Sequence, residues 1–327
     1  MSAIGPRLLG STGLRVSRIG LGLAALGRPA YINLGRDQDY GGERSVAAME
    51  KRCHGMLDAA RAAGVRYVDA ARSYGLAETF LASWLRLREV SRDALTIGSK
   101  WGYSYVGSWR LDAPVHEVKD LSLDALGRQV GESRMLLGDH LRLYQIHSAT
   151  IESGVLEDGR VLDELARLRS EGLAIGLTVT GPRQADVIRL ALDVNATRGA
   201  LFDVVQATWS LLEPSSGAAL ADARAAGLGV IVKEALANGR LSGRESSEKS
   251  ARLLDYAAAH GTTPDVAAIA AALANSWVDV VLSGAVTVGQ LASNLRGADL
   301  AETAGDWPDL ATPPAEYWAH RSSLGWS

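Results

Sequence analysis

A closed (β/α)8 TIM barrel with an N-terminal β-hairpin and extended active-face loops, one domain over residues 1–327, is the α/β fold this sequence predicts. Three observations predict it. Short apolar runs of strand length alternate eight times with segments of helical periodicity, the count that closes such a barrel. No fixed-period repeat and no Pro/Ser-rich linker divides the 327 residues, a length such barrels reach as one unit. Three consecutive strand-like runs stop at a polar residue: Asp69, Lys100 and His147, with Tyr74 in the loop just past Asp69. If the strands are parallel, their C-terminal ends converge on the face where such barrels carry their chemistry.

The elements follow in order. Arg7–Gly10 and Arg15–Ile19 alternate around a Gly-containing turn, which predicts a hairpin. Ile19–Leu23 reads as the first barrel strand. Gly20, Gly22 and Ala25 match a loose dinucleotide fingerprint, but that motif must open a helix. Here Arg28-Pro29 and a run of turn formers to Gly42 follow, which argues against it; the glycines instead let backbone approach a bound ring. The segment Gly27–Gly42 is long for a strand-to-helix loop, so it is either a lid, with Tyr31 and Tyr40 as ligand contacts, or a surface excursion.

Val46–Gly64 repeats apolar residues at helical spacing (Met49, Cys53, Met56, Leu57, Ala60). Arg66–Asp69 is the second strand, Glu78–Arg88 a helix and Leu95–Lys100 the third strand. Trp101, Tyr103, Tyr105 and Trp109 then crowd an irregular stretch to Ser122; they are substrate walls, with Trp101 and Trp109 foremost, or they pack against neighbouring loops. Leu123–Leu137 is helical and Leu141–Ile146 the fourth strand, followed by a helix over Asp158–Gly172. Strands at 174–179, 202–206, 229–232 and 278–282 alternate with helices at 184–197, 216–227, 248–260, 264–275 and 288–300.

Composition excludes several classes of function. Hydrophobic residues at 47% against 22% charged mark an ordinary globular chain. A formal charge of −3, with Lys and Arg scattered, leaves no nucleic-acid or anionic-membrane footprint. A lone cysteine, Cys53, forbids an internal disulfide and reads as core packing. The N-terminal residues hold no apolar stretch of signal-peptide length, which predicts a cytoplasmic protein. His116-Glu117 opens like a zinc-hydrolase motif, yet Asp120 stands where the second histidine belongs, so no metal is expected.

The ordered pattern Val68-Asp69-Ala70-Ala71-Arg72-Ser73-Tyr74-Gly75, then a strand ending in Lys100, then one ending in His147, resembles the aldo-keto reductases. The resemblance runs from the hairpin near Arg7 to about Asn294. It implies that the hairpin plugs the barrel bottom, that a C-terminal loop covers the substrate end, and that Asp69, Tyr74, Lys100 and His147 form a catalytic tetrad. Tyr74 would be the acid, Lys100 the ammonium that lowers its pKa, Asp69 the partner that keeps Lys100 charged, and His147 the group that orients the carbonyl. For the nicotinamide end of a cofactor the resemblance points to Gly22, Thr178, Gln206, Trp209 and Lys233. For the pyrophosphate loop it points to Leu236, Asn238 and Arg240, and for the adenosine end to Ser283, Gly284, Gln290 and Asn294.

The pattern also departs from the family. Val179 stands where an Asn is common, Lys233 where a Tyr is common, and Val286-Thr287 where NADPH-preferring members place a cation. Family precedent says NADP, while Val286 leans towards NAD. The expected activity is NAD(P)-dependent interconversion of an aldehyde or ketone with an alcohol. A sugar 1-dehydrogenase on the same barrel, or a nicotinamide-binding sensor or partner subunit with little turnover, is the alternative. A monomer acting on small molecules is expected.

Overall fold

The computed structural model describes residues 5–326; residues 1–4, which are part of the N-terminal stretch read for a signal peptide, lie outside the described residues. Strands β1 (Pro6–Leu8) and β2 (Arg15–Ser17) pair antiparallel as the hairpin. Then come β3 (Ile19–Gly22), α1 (Arg36–Tyr40), α2 (Val46–Ala62), β4 (Tyr67–Asp69), α3 (Ala77–Leu87) and β5 (Thr96–Trp101). A second hairpin, β6 (Tyr103–Tyr105) with β7 (Glu117–Lys119), stands between β5 and α4 (Leu123–Leu137). The chain continues through β8 (Leu141–Ala149), α5 (Gly159–Ser170), β9 (Ala174–Val179), α6 (Gln184–Arg198), β10 (Val204–Thr208) and α7 (Gly217–Ala225). It ends with β11 (Gly229–Lys233), α8 (Glu248–Ala259), α9 (Pro264–Leu273), β12 (Val280–Ser283), α10 (Val288–Leu295), α11 (Gly297–Thr303) and α12 (Pro314–Ser323).

Eight of these strands close a parallel barrel in the order β10-β11-β12-β3-β4-β5-β8-β9. Because helices cover the outside and side chains fill the inside, strands such as Tyr67-Val68-Asp69 are buried throughout, which is why they read as continuous runs. Inside the bottom of the barrel, Leu9, Leu14 and Val16 from the first hairpin meet Tyr67, Leu143, Val204, Ile231 and Val280, so the hairpin is the plug the resemblance implied. Gly10 makes this possible: its φ of +53° is left-handed, and a Cβ there would lie 2.2 Å from the Gly229 nitrogen.

Three expectations about elements need correction. The aromatic stretch after β5 is not irregular throughout but carries the β6–β7 hairpin. The last long helix is two, α10 and α11, meeting at Arg296. The C-terminal segment, expected as a loop, contains α12, whose Tyr317 and Trp318 pack with Leu253, Ala267 and Leu310 in a separate apolar cluster.

Candidate active site

Strand ends supply the reactive groups. Asp69 ends β4, Lys100 is the penultimate residue of β5, and His147 lies near the end of β8. Tyr74 follows in the turn after β4. The structure brings all four together. The Lys100 ammonium bonds Asp69 Oδ2 and donates to the Ala70 carbonyl at 2.9 Å and to Tyr74 Oη at 3.2 Å. Asp69 Oδ1 accepts from Gln206 Nε2 at 2.9 Å and from Tyr67 Oη at 3.2 Å. His147 sets its ring edge-to-face against Tyr74 with centroids 5.5 Å apart, and its Nδ1 lies 3.4 Å from Ser73 Oγ.

Burial dominates the protonation chemistry. It pushes the Lys100 pKa down, and Asp69 opposes that shift by favouring the charged form. It also holds His147 well below the ordinary imidazole range, with Lys100 and Arg28 adding to the effect, so the ring is neutral at neutral pH. Tyr74 departs from expectation. Its pKa is not lowered but raised well above the usual value, by burial first and then by Asp69, with Arg28 opposing. The phenol therefore stays protonated, as an acid requires.

Two cavities meet at this cluster. The larger, of 390 Å³, runs from Asp69 and Tyr74 to Asp265, Gln290 and Asn294 at its far end. The smaller, of 160 Å³, is lined by Arg28, Tyr103, Glu117, His147, Arg321 and Trp326 among others. Tyr31, Tyr74, Gln206, Lys233 and Glu234 line both, so the tetrad tyrosine stands in the shared wall. Two residues beside this wall are held in left-handed backbone unusual for non-glycine residues: Ser148 after His147 (φ +58°) and Glu234 after Lys233 (φ +57°). Such strain gathers at functional sites.

Most residues expected at a cofactor fall on the large cavity: Gly22, Gln206, Lys233, Leu236, Asn238, Ser283, Gly284, Gln290 and Asn294. Asn238 Oδ1 is buried there with no hydrogen-bond partner among the described residues, an acceptor left for a ligand, and glycines at 22, 239, 284 and 289 leave the wall open for close approach. These polar side chains and glycines, spread along one cavity wall from Asp69 to Asn294, fit a dinucleotide. Thr178 lines the smaller cavity instead, its hydroxyl accepting from the Ser148 amide at 2.7 Å. Tyr31, expected at the substrate, lines both.

Five residues are placed elsewhere. Trp209 packs edge-on to Trp277 away from either cavity. Arg240 is tied to Glu245 at 2.9 Å. Trp101 is a fully buried core residue. Trp109 donates its indole N–H to the Arg44 carbonyl at 2.7 Å and packs on Phe80. Tyr40 is buried, its hydroxyl bonded to the Ala25 carbonyl. Gly20 also has another reason to be glycine: a Cβ there would come 2.8 Å from the Tyr67 ring inside the barrel.

Several lining residues were not anticipated. Arg28 is buried, with its guanidinium 5.2 Å from the Tyr74 ring centroid and 4.7 Å from that of Trp326, and it is ion-paired to Glu117 at 2.8 Å. Glu234 and Arg321 form a second pair through contacts of 2.5, 2.9 and 3.1 Å. Trp326 stacks on His116 at 4.3 Å, so the C-terminal segment does border the smaller cavity. At the far end of the larger cavity Asp39 binds Arg244 and Gln290, which fastens the loop after β3 across the cleft. Val286, where a cation was sought, is buried. Among the described residues no three His, Cys, Asp or Glu side chains gather as a metal would require.

A closed parallel barrel with a carboxylate, an ammonium, a phenol and an imidazole gathered at its C-terminal end, between a larger and a smaller cavity, has the architecture of a barrel enzyme. The chain belongs to the Aldo/keto reductase family, whose model matches residues 18–311, and it is thus an oxidoreductase of that family. It is 25% identical over 319 residues to the uncharacterized oxidoreductase YrpG of Bacillus subtilis (strain 168), covering 90% of each chain. Its fold is similar to that of PA4992 from Pseudomonas aeruginosa, assigned provisionally as an aldo-keto reductase (25% identity, TM-score 0.67, 93% and 98% of the two chains covered). It is likewise similar to that of aldo-keto reductase AKR11C1 from Bacillus halodurans in its holo form (20% identity, TM-score 0.68, 98% and 96% covered). No helix among the described residues is long and apolar enough to cross a membrane.

Proposed function

We propose that the chain interconverts a carbonyl compound and its alcohol with NADP or NAD as hydride carrier, Tyr74 acting as general acid and, in reverse, as general base. One observation carries the reading: Lys100 is bonded at once to Asp69 and to Tyr74 Oη in the wall between the two cavities. When bound in the larger cavity, a nicotinamide cofactor supplies or accepts the hydride. In the reductive direction Tyr74 gives its proton to the carbonyl oxygen as the carbon gains hydride, so one hydride, carrying both electrons and one hydrogen, and one proton complete the alcohol. The resulting phenolate lies 3.2 Å from the Lys100 ammonium, which is favoured there because Asp69 holds it. His147, neutral, offers an N–H to the carbonyl oxygen without competing as the acid. Residues 1–327 act in this reading as one unit, a monomeric cytoplasmic enzyme.

The smaller cavity favours a particular substrate class. Its wall carries the pairs Arg28–Glu117 and Glu234–Arg321, with Thr178 and Tyr103 hydroxyls and the Trp326 ring. Paired charges and an aromatic face suit a polyhydroxylated molecule better than an apolar one, and this supports the sugar 1-dehydrogenase reading over reduction of an aromatic aldehyde. The test is nicotinamide absorbance with NADPH, NADH and their oxidised forms against aldehydes, ketones and free sugars, with Tyr74→Phe alongside. A loss of turnover by roughly 10²–10⁴ with cofactor binding intact is expected. Turnover indifferent to Tyr74 overturns the mechanism, and binding without turnover on any substrate moves the protein to a sensor or partner role.

A further inference from the structure

The charges around the wall shared by the two cavities can be matched one against another. Lys100 is paired with Asp69, Arg321 with Glu234, and Arg28 with Glu117. Lys233, at the end of β11, lines both cavities and among the described residues makes no direct ion pair; Glu234, which Arg321 already pairs, is reached only through Thr208 Oγ1, which donates to Glu234 Oε2 at 3.3 Å, so the cluster keeps one positive charge in excess. Its Nζ donates to Thr208 Oγ1 at 2.8 Å and sits 5.9 Å from the Trp318 ring centroid. One ammonium in excess of the carboxylates therefore stands in the wall shared by the two cavities.

The two forms of a nicotinamide ring differ by one positive charge, the oxidised ring being a cation and the reduced ring neutral. A fixed positive charge in a water-poor wall acts on that difference. Resting on the cofactor reading above, we infer that Lys233 sets which redox form of the cofactor this protein holds, disfavouring the oxidised ring relative to the reduced one and thereby promoting hydride uptake from an alcohol or hemiacetal.

The charge is also switchable. Burial pushes the Lys233 pKa down to about 8; Glu234 on the same strand end opposes this, Arg321 from α12 and Lys100 from β5 reinforce it, and Asp69 from β4 opposes it. His147 from β8 faces the same space and is neutral at neutral pH. The preference for the reduced form is thus present below pH 8 and lost above it.

The test is a set of binding titrations by tryptophan fluorescence, which need no turnover. Wild-type protein, Lys233→Met and Lys233→Arg are titrated with oxidised and reduced NAD and NADP at about pH 6.5 and about pH 9.5. In the wild type the ratio of oxidised to reduced Kd falls on the order of tenfold between the two pH values. In Lys233→Met it is low at both, and in Lys233→Arg, which keeps its charge, it stays high at both. A wild-type ratio that does not move with pH, or a Lys233→Met protein that keeps the wild-type response, overturns the inference while leaving the cofactor reading intact. Binding of neither form overturns the cofactor reading itself and this inference with it.

Discussion

Asp69→Asn removes one charge and changes almost no volume, so its effects report on electrostatics rather than packing. The native carboxylate receives Lys100, Gln206 and Tyr67, three donors. An asparagine amide must turn one of its own N–H groups towards a donor, and Lys100 is left as a buried ammonium with only the Ala70 carbonyl and Tyr74 Oη. Burial already lowers the Lys100 pKa, and the opposing influence of Asp69 is gone, so the proton leaves lysine more readily. Removing one partner of such a pair costs about 3–5 kcal/mol of stability, which for a chain of this size is a fall of several degrees in Tm.

The catalytic loss follows from the 3.2 Å between Lys100 Nζ and Tyr74 Oη. At an effective dielectric constant near 20, an ammonium at that distance stabilises a forming phenolate by about 5 kcal/mol, roughly three to four orders of magnitude in rate if the charge is lost outright. Stopped-flow single turnover with saturating reduced cofactor isolates that step, and differential scanning calorimetry supplies Tm. A variant within threefold of wild type in single-turnover rate refutes the claim that Asp69 maintains the ammonium for Tyr74.

Other perturbations test other parts of the argument. The Glu234 carboxyl is held down to about 2, against its desolvation, by Arg321 and Lys233. A depressed acid stabilises the fold above its unfolded pKa and loses that contribution as pH falls towards 2, so Glu234→Gln should flatten acid unfolding below about pH 4.5 and lower neutral stability by about 3 kcal/mol, read by urea melts. Trp326→Ala strips the ring from Arg28 and His116, and should raise substrate KM roughly tenfold while leaving cofactor Kd unchanged, since Trp326 lines only the smaller cavity. Gly98→Ala puts a Cβ 2.5 Å from Tyr67 Oη, inside the barrel where nothing yields, and should lower stability by about 1–3 kcal/mol.

The strand ends were legible because a parallel strand buried on both faces is a near-continuous apolar run, and a polar residue stopping such a run has little to do except reach the site. The misplaced aromatics were legible too, had strand parity been applied. Lys100 points into the barrel, so Trp101, its neighbour, must point out among the helices; Gln206 and Thr208 point inward, so Trp209 takes the outward parity. The β6–β7 hairpin had no such signal. Its strands are three residues each, eleven residues separate them, and Val106, Val115 and Val118 are exposed, so no apolar face repeats. Arg28, Glu117 and Arg321 gave none either. An arginine before a proline and a glutamate beside a histidine look like surface, and only the closing of the barrel mouth buries Arg28 and half-buries Glu117 and Arg321.

What assembles the site is register. Asp69 lies level with Gly22 on one neighbouring strand and with Gly98 on the other, so the space on either side of the carboxylate is free of Cβ atoms. Lys100, the next inward residue above Gly98, can therefore reach down to Asp69, while Gln206 reaches the same carboxylate from across the barrel. A shift of one residue in β5 would turn Lys100 outward and bring Trp101 in, so the barrel admits a single alignment of the acid, the ammonium and the phenol. The charges that must be matched to be buried, Asp69 with Lys100 and Glu234 with Arg321, join β4 to β5 and β11 to α12, and they form only when those elements are seated. Lys233, bonded to Thr208 on the adjoining strand and facing a Glu234 already paired to Arg321, is positioned by the sheet without an ion pair of its own, which leaves an excess positive charge to act on whatever occupies the cleft.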